Sequence, residues 1–327
     1  MRALVTGGAG FIGHHLVRAL LDRGWSVTVI DDLSTGDAAR LTACLDDVDF
    51  IRGDIRDPAA VDGAVADVDT IFHEAALPSV ARSVRDPRLT NDINTNGTIE
   101  IMLGAARAGV RRVVYAASSS IYGITPELPR RETQRPDPRS PYAASKLAAE
   151  YYVHSLGSLH GVETVALRYF NVFGPGQDPA SEYAAVVPRF IVAGLRGQPM
   201  TIDGDGHQSR DFTYIDNVVA ANLAAASRPA ISGLTCNVGS GGRLSLLDLV
   251  AEIERNLGTT LPRTFGPARP GDVPHSQADI SLAGERLGYR PTVEFSEGIR
   301  RTVEWFRVHE AGIEAGRPHV ETSSQPA

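Results

Sequence analysis

Tyr142 and Lys146 stand four residues apart in the run Tyr142-Ala143-Ala144-Ser145-Lys146, and the run Gly7-Gly8-Ala9-Gly10-Phe11-Ile12-Gly13 opens the chain. On a helix that first spacing puts both side chains on one face. A free phenol, with a pKa of ~10, is a poor base at neutral pH. A neighbouring ammonium and a cationic nicotinamide ring would both favour the phenolate. Tyr142 then becomes able to take a proton from a sugar hydroxyl while the same carbon gives up a hydride. The segment before the pair ends Ala116-Ala117-Ser118-Ser119-Ser120. Serines at the C-terminal end of a strand lie where open α/β sheets place ligands.

The spacing Gly7-x-x-Gly10-x-x-Gly13 falls between an apolar strand and a helix, the context that makes a dinucleotide turn credible. Glycines there let the backbone turn tightly and approach a pyrophosphate, whose charge a helix N-terminus favours. Phe11 and Ile12 complete that turn. Asp31 and Asp32 close the next strand. The Asp31 carboxylate can accept hydrogen bonds from an adenosine ribose and would repel a 2′-phosphate. No Lys or Arg follows before Arg40, so the pattern favours NAD over NADP.

These residues need a frame. Strands are expected at Ala3 to Thr6, Val27 to Ile30, Phe50-Ile51, Thr70 to Phe72, Arg112 to Ala116 and Arg168 to Asn171. Helices are expected at Phe11 to Arg23, Asn96 to Ala108 and Ala143 to Leu156. The alternation predicts an α/β fold, a Rossmann doubly wound parallel sheet with helices on both faces. After Gly174-Pro175 the rhythm breaks, yet Thr235 to Gly239 reads as a strand that returns to the sheet. The expectation is therefore a smaller, sequence-interleaved C-terminal substrate domain. NAD binding falls to 1–174 with about 213–248, and substrate binding to 175–212 and 249–312. The polar stretch 316–327 reads as a disordered tail.

Lys and Arg number 32 against 39 Asp and Glu, for a formal charge of −7. That balance speaks against a general nucleic-acid or membrane-surface binder. Two cysteines, Cys44 and Cys236, have neither metal-ligand spacing nor a disulfide pattern. No metal is expected. With no long apolar run and a strand at the start, the reading is cytoplasmic.

Taken together the motifs resemble those of extended short-chain dehydrogenases/reductases, in the NAD-dependent epimerase/dehydratase family and its UDP-galactose 4-epimerase branch. The resemblance runs from the glycine turn through Asp31-Asp32-Leu33-Ser34-Thr35-Gly36, Gly53-Asp54-Ile55, His73-Glu74-Ala75-Ala76, Ser118-Ser119-Ser120-Ile121-Tyr122-Gly123 and Tyr142-x-x-x-Lys146. It continues through Arg168 to Pro175, Gly204 to Phe212 and Arg269-Pro270-Gly271-Asp272. It implies that Ser118 and Tyr142 contact the reacting 4-hydroxyl, with Ser119 and Ser120 beside the substrate. It also implies that Lys146 binds the nicotinamide ribose, that Asp54 and Ile55 flank the adenine, and that Ala75 lies along the cofactor. Asn171, Arg210 and Arg269 are implied to hold the phosphates, a role suited to paired Arg geometry, and Asp272 the uridine ribose. A homodimer through helices at about 96–108 and 143–156 is a further implication.

The reaction so implied is C4 epimerisation of a UDP-sugar with tightly bound NAD, by transient oxidation to a 4-keto sugar. Related dehydratases and decarboxylases carry a carboxylate just after the position of Ser118, and this chain has Ser119 and Ser120. A non-catalytic NAD-binding regulator is the reading from another class, and retention of Ser118, Tyr142 and Lys146 speaks against it. For the sugar, Ser276 occupies the position that resembles a gate admitting N-acetyl groups. The run ending Val187-Pro188 resembles N-acetylhexosamine epimerases, while Arg189 resembles a residue that meets a glucuronate carboxylate. UDP-glucose, UDP-N-acetylglucosamine and UDP-glucuronate, with their 4-epimers, all stay in view.

Overall fold

The computed structural model describes residues 1–179, 185–267 and 273–315, with side chains up to 309. The expected tail and the residues Arg269 and Asp272 lie outside the described residues. Six strands come in the first half: β1 (Arg2–Thr6), β2 (Ser26–Asp31), β3 (Val48–Arg52), β4 (Thr70–His73), β5 (Arg112–Ser118) and β6 (Glu163–Tyr169). With the strand Leu234–Val238 they form one seven-stranded sheet. All its neighbours run parallel, in the order Leu234–Val238, β6, β5, β4, β1, β2, β3. The order reverses at β1, which pairs with β2 on one side and β4 on the other. That reversal opens a crevice beyond the strands' C-terminal ends.

Successive β1 residues divide between two cores, because strand side chains alternate faces. Ala3 and Val5 join Leu16, Val17 and Leu20 of helix α1 (Phe11–Leu21) and Val218, Ala221 and Ala225 of the helix Ile215–Ser227. Leu4 points the other way, into a core with Val61, Ile101, Ala105, Ala149 and Val153. Both faces are covered, which is why the strands read as apolar runs rather than as alternating ones. Elsewhere the strand Met200–Asp203 pairs in parallel with Arg263–Gly266. Helices Val186–Leu195, Leu246–Leu257 and Phe295–Ala315 pack beside it and extend the first core through Phe190, Val250, Ile253, Ile299 and Val303.

Two expectations shift. The strand read at Arg168 to Asn171 instead runs Glu163–Tyr169 and then breaks. Asn171 sits at φ +20°, a region that Asn tolerates better than most residues. The returning strand is present as Leu234–Val238, in register with Val165 to Tyr169.

One buried ion pair fastens the helix Pro141–His160 to this sheet. Arg168 and Glu150 are 5% and 2% exposed. Two parallel bonds join them, Nε to Oε2 at 3.0 Å and Nη2 to Oε1 at 2.6 Å. Arg168 Nη1 also donates to the Tyr122 hydroxyl at 2.8 Å, which donates to Asn237 Oδ1 at 2.6 Å. Glu150→Ala would leave the guanidinium buried and unpaired, a loss of about 3–5 kcal/mol. Urea denaturation of the two proteins checks it, and a change under ~1 kcal/mol would show that the pair contributes little.

Candidate functional site

The crevice at the sheet's reversal has a cavity of about 400 Å³, within the usual range for small-molecule sites. Gly7, Gly10, Phe11, Ile12 and Gly13 line it from the β1 turn, and Asp31 and Asp32 from the end of β2. Asp54, Ile55, Ala75, Tyr142 and Lys146 line it too, so every residue expected at the cofactor is brought to one place.

The turn leaves room that no side chain takes. A Cβ on Gly7, whose φ is +67°, would lie 2.8 Å from the Ala75 Cα. On Gly13 it would lie 2.2 Å from the Gly7 carbonyl oxygen. Gly10 is the N-cap of α1 and supplies no side-chain cap, so first-turn amides remain available to an anion. Asp31 braces the turn, accepting from the Ala9 amide at 3.0 Å and the Leu33 amide at 2.9 Å. Burial holds its carboxyl above the usual range. Asp54 is bound by Arg56, which also reaches Asp92 at 2.6 Å. A dinucleotide fits this donor set: open backbone amides at the turn and a carboxylate at the second strand.

His73 ties the two strands that flank the gap. Thr98 Oγ1 donates to the Asn94 carbonyl at 2.6 Å, so it accepts from His73 Nε2 at 2.9 Å. His73 Nδ1 then accepts from Thr6 Oγ1 at 2.7 Å. Burial brings this imidazole down to about 3, and it stays neutral.

Chemistry gathers at the β5 end. Ser140 caps the helix Pro141–His160 by accepting from the Ala143 amide at 3.1 Å, which sets Tyr142 in the first turn. Ser118 ends β5, and its Oγ lies 2.8 Å from Ser120 Oγ, while Ser119 begins the following short turn. Burial pushes the Tyr142 phenol up, and a hydrogen bond with Ser118 pulls it down. Lys146 is 3% exposed, and burial lowers it to about 8, with Glu74 and Glu150 opposing. Its ammonium lies over the Tyr115 ring, 4.4 Å from the centroid. Without a cationic ring beside it, desolvation governs the Tyr142 phenol.

The expected substrate residues scatter more. Arg210 Nη1 donates to the Ser209 and Pro274 carbonyls at 2.9 and 3.2 Å, and the Ser276 amide donates to the Ser209 carbonyl at 3.0 Å, so Arg210 and Ser276 sit together. Asn171 is exposed just past β6. The Val187 side chain is 2% exposed in the core beside Phe190 and Ile191, because the Val186–Leu195 helix turns its apolar side inward. Arg189 is not in the crevice lining. It opens on a separate recess of about 160 Å³ with Pro179, Phe190, Gln198, Pro199 and Thr201.

Sequence reasoning passed over Glu74, Tyr169 and Arg40 as crevice residues. Arg40 joins the glycine turn to the segment after β6, donating to the Ala9 carbonyl at 3.1 Å and the Gly176 carbonyl at 3.2 Å. Glu74 had a legible signal, a carboxylate one residue past a strand end. Among the described residues no cluster of three or more His, Cys, Asp or Glu is arranged to hold a metal. Nor is any helix there long and apolar enough to cross a membrane.

Comparison with known proteins gives matches over nearly the whole chain. The model of the NAD dependent epimerase/dehydratase family matches residues 3–239. The UDP-glucose 4-epimerase of Mycolicibacterium smegmatis is 42% identical over 312 residues, covering 94% of this chain and 99% of that protein. Among solved structures, the UDP-N-acetylglucosamine 4-epimerase of Methanobrevibacter ruminantium, in complex with UDP-N-acetylmuramic acid, superposes with a TM-score of 0.90 at 38% identity. It covers 94% of this chain and 98% of its own. The UDP-glucuronic acid 4-epimerase of Bacillus cereus, in complex with UDP-glucuronic acid and NAD, has a TM-score of 0.88 at 32% identity and coverages of 94% and 99%.

Gly13→Ala forces a methyl group into the Gly7 carbonyl, so the turn must move. The purified variant is expected to lose its bound dinucleotide, measured by chromatography of the nucleotide released on denaturation. Retention at the wild-type stoichiometry would refute the assignment of the turn.

Proposed function

The chain belongs to the NAD dependent epimerase/dehydratase family, and on that premise we propose that it is an NAD-dependent UDP-sugar 4-epimerase. The observation that carries the reading is Tyr142 and Lys146 in the crevice lining, with Ser118 hydrogen-bonded to Tyr142 and serines rather than a carboxylate following Ser118. Elimination of water needs a further acid and base at the sugar, whereas epimerisation needs only a reversible proton transfer at one hydroxyl. NAD, when bound, supplies the acceptor for the C4 hydride and gives it back. Tyr142 takes the 4-hydroxyl proton, with Ser118 in hydrogen-bond contact to relay it, and returns it after the 4-keto sugar has turned over. Lys146 holds the nicotinamide ribose. Positive charge brought in with the cofactor offsets the desolvation that keeps the Tyr142 phenol neutral beforehand.

We assign the cofactor to 1–174 with about 213–248, and the UDP-sugar to 175–212 and 249–312. The two cavities adjoin along the chain. Asp178 and Ala185 line the crevice, while Pro179 and Arg189 line the recess. That adjacency favours the recess for the uridine end and the crevice mouth for the sugar. Arg189 then recognises the nucleotide rather than a glucuronate carboxylate. Arg210 serves the diphosphate, together with Arg269. Ser276 is small and leaves the sugar pocket permissive, so N-acetylated and plain hexoses both enter.

Tyr151, Tyr152 and Leu159 are exposed on the Pro141–His160 helix, and Val80 and Val84 are exposed on the helix Val80–Arg85 that packs against it. We take this to support a homodimer, in the cytoplasm, where Cys44 and Cys236 stay as free thiols. Sedimentation at twice the chain mass is expected, and a monomer at micromolar concentration would refute it.

Proton NMR of the protein with UDP-glucose, UDP-N-acetylglucosamine or UDP-glucuronate, without added NAD, tests the activity. New anomeric signals of the 4-epimer are expected, and Tyr142→Phe should cut the rate by about 10²–10⁴. Signals of a 4-keto or pentose product would replace this reading with a dehydratase or decarboxylase. Arg189→Ala should raise KM for all three sugars alike, and a loss confined to glucuronate would restore the carboxylate role.

A further inference from the structure

Glu74 follows β4 and lines the crevice between the glycine turn and Lys146. Its Oε1 accepts from the Tyr169 hydroxyl at 2.8 Å, and Tyr169 in turn accepts from Asn222 Nδ2 at 2.8 Å. Its Oε2 is buried and has no hydrogen-bond partner among the described residues. A buried carboxylate oxygen without a donor is costly, and its retention calls for a reason. Salt-bridge stability is a poor reason here: Lys146 is the buried cation that interacts with it, yet no ion pair closes between them.

The crevice itself supplies the reason. Lys146 brings one positive charge to the end of the crevice where Tyr142 lies. A nicotinamide ring is cationic when oxidised and neutral when reduced. Against Lys146 alone the oxidised ring is disfavoured. A carboxylate in the same low-dielectric space offsets that repulsion for the oxidised form and gains nothing from the reduced form. An epimerase that must start each cycle with an oxidised cofactor needs that bias.

We propose that Glu74 sets the redox balance of the bound cofactor, its carboxylate favouring NAD+ over NADH against the charge of Lys146. This rests on the epimerase reading, which places the nicotinamide beside Lys146. Glu74 gives no proton to the sugar; it acts through the charge it holds.

Protonation gives the idea a second handle. Burial pushes Glu74 up to about 7, with the Tyr169 hydrogen bond and Lys146 opposing. Two titratable groups act on it directly, Tyr169 on β6 through the hydrogen bond and Lys146 on the Pro141–His160 helix through its charge; Tyr142 shares its crevice, His73 precedes it on β4 and Tyr115 lies under Lys146. Burial raises all three tyrosines and His73 stays neutral, so among these groups Lys146 is the one that titrates near neutrality. As pH falls below about 7 the carboxylate is lost, and the preference for NAD+ should weaken.

The experiment is calorimetric titration of stripped protein with NAD+ and with NADH, for wild type and Glu74→Gln. The amide keeps a carbonyl acceptor for Tyr169 and removes only the charge. The ratio of Kd for NAD+ to Kd for NADH is expected to rise about tenfold in Glu74→Gln, equal to about 30 mV for a two-electron couple. Between pH 7.5 and 5.5 the wild-type ratio should rise more steeply than that of the variant, since Lys146 titrates in both. The wild-type pH series stands without any variant, should Glu74→Gln not fold. An unchanged ratio in the variant, or a flat wild-type series, overturns the role of Glu74 and leaves the epimerase reading intact. A protein that binds neither dinucleotide overturns both.

Discussion

Everything at the site depends on how closely two stretches of backbone approach where the sheet reverses. Gly7 comes so near to Ala75 that a single methyl group would not fit between them. The contact is possible because β1 and β4 are neighbours and both end at the same level. It leaves the α1 amides, the Asp31 carboxylate and the end of β4 around one gap. A side chain at Gly7 or Gly13 would push the turn away from β4, and the cavity would have no floor. The network through Thr6, His73 and Thr98 holds the same two strands from inside, with a neutral imidazole that burial keeps neutral.

The second demand is electrical. Lys146, Glu150, Arg168 and Glu74 bring charge into an interior where unpaired charge is costly. Glu150 and Arg168 satisfy one another bidentately and anchor the helix that carries Tyr142 and Lys146. Lys146 lies over an aromatic face instead of in an ion pair, and Glu74 leaves one oxygen without a donor. Glu150 and Arg168 are thus matched to each other, while Lys146 and Glu74 in the crevice are not closed into a pair. Mismatch at the crevice is what a cofactor of changing charge can use.

Segments far apart in the chain make the site whole. Residues just past β6 reach back to the glycine turn through His15, which bonds the Pro175 carbonyl at 2.8 Å, and through Arg40. The same segment runs on past Asp178 and Pro179, from the lining of one cavity to that of the other. This continuity is how a grip on a nucleotide in the recess would be felt at the crevice.

Most strand positions in the first half, the glycine turn, Asp31 and the Tyr142–Lys146 pair were legible in the chain, while β6 was read too late and the short helices Pro58–Ala64 and Val80–Arg85 were not read. Each legible feature is a local pattern: an apolar run, a φ that only glycine tolerates well, an i to i+4 spacing. The return of a strand to the sheet was also legible, read at Thr235 to Gly239 and found at Leu234–Val238. Less local facts were not. Val187 looked like a binding residue and is core, because burial of a helix face is decided by what packs against it. Arg189 looked like a partner of the sugar, and the fold turned it to a different recess. The environment of Tyr142 was not legible for the same reason: spacing tells which side chains share a face, but desolvation depends on all the neighbours at once. Glu74 stood in view as one residue of a motif, and only the packing of β4, β6 and the Pro141–His160 helix made it a buried charge facing another. Sequence therefore determined which groups are present and how they recur along each element, and tertiary structure decided which of them lose water, since solvation is a property of the assembled surroundings and not of the residue.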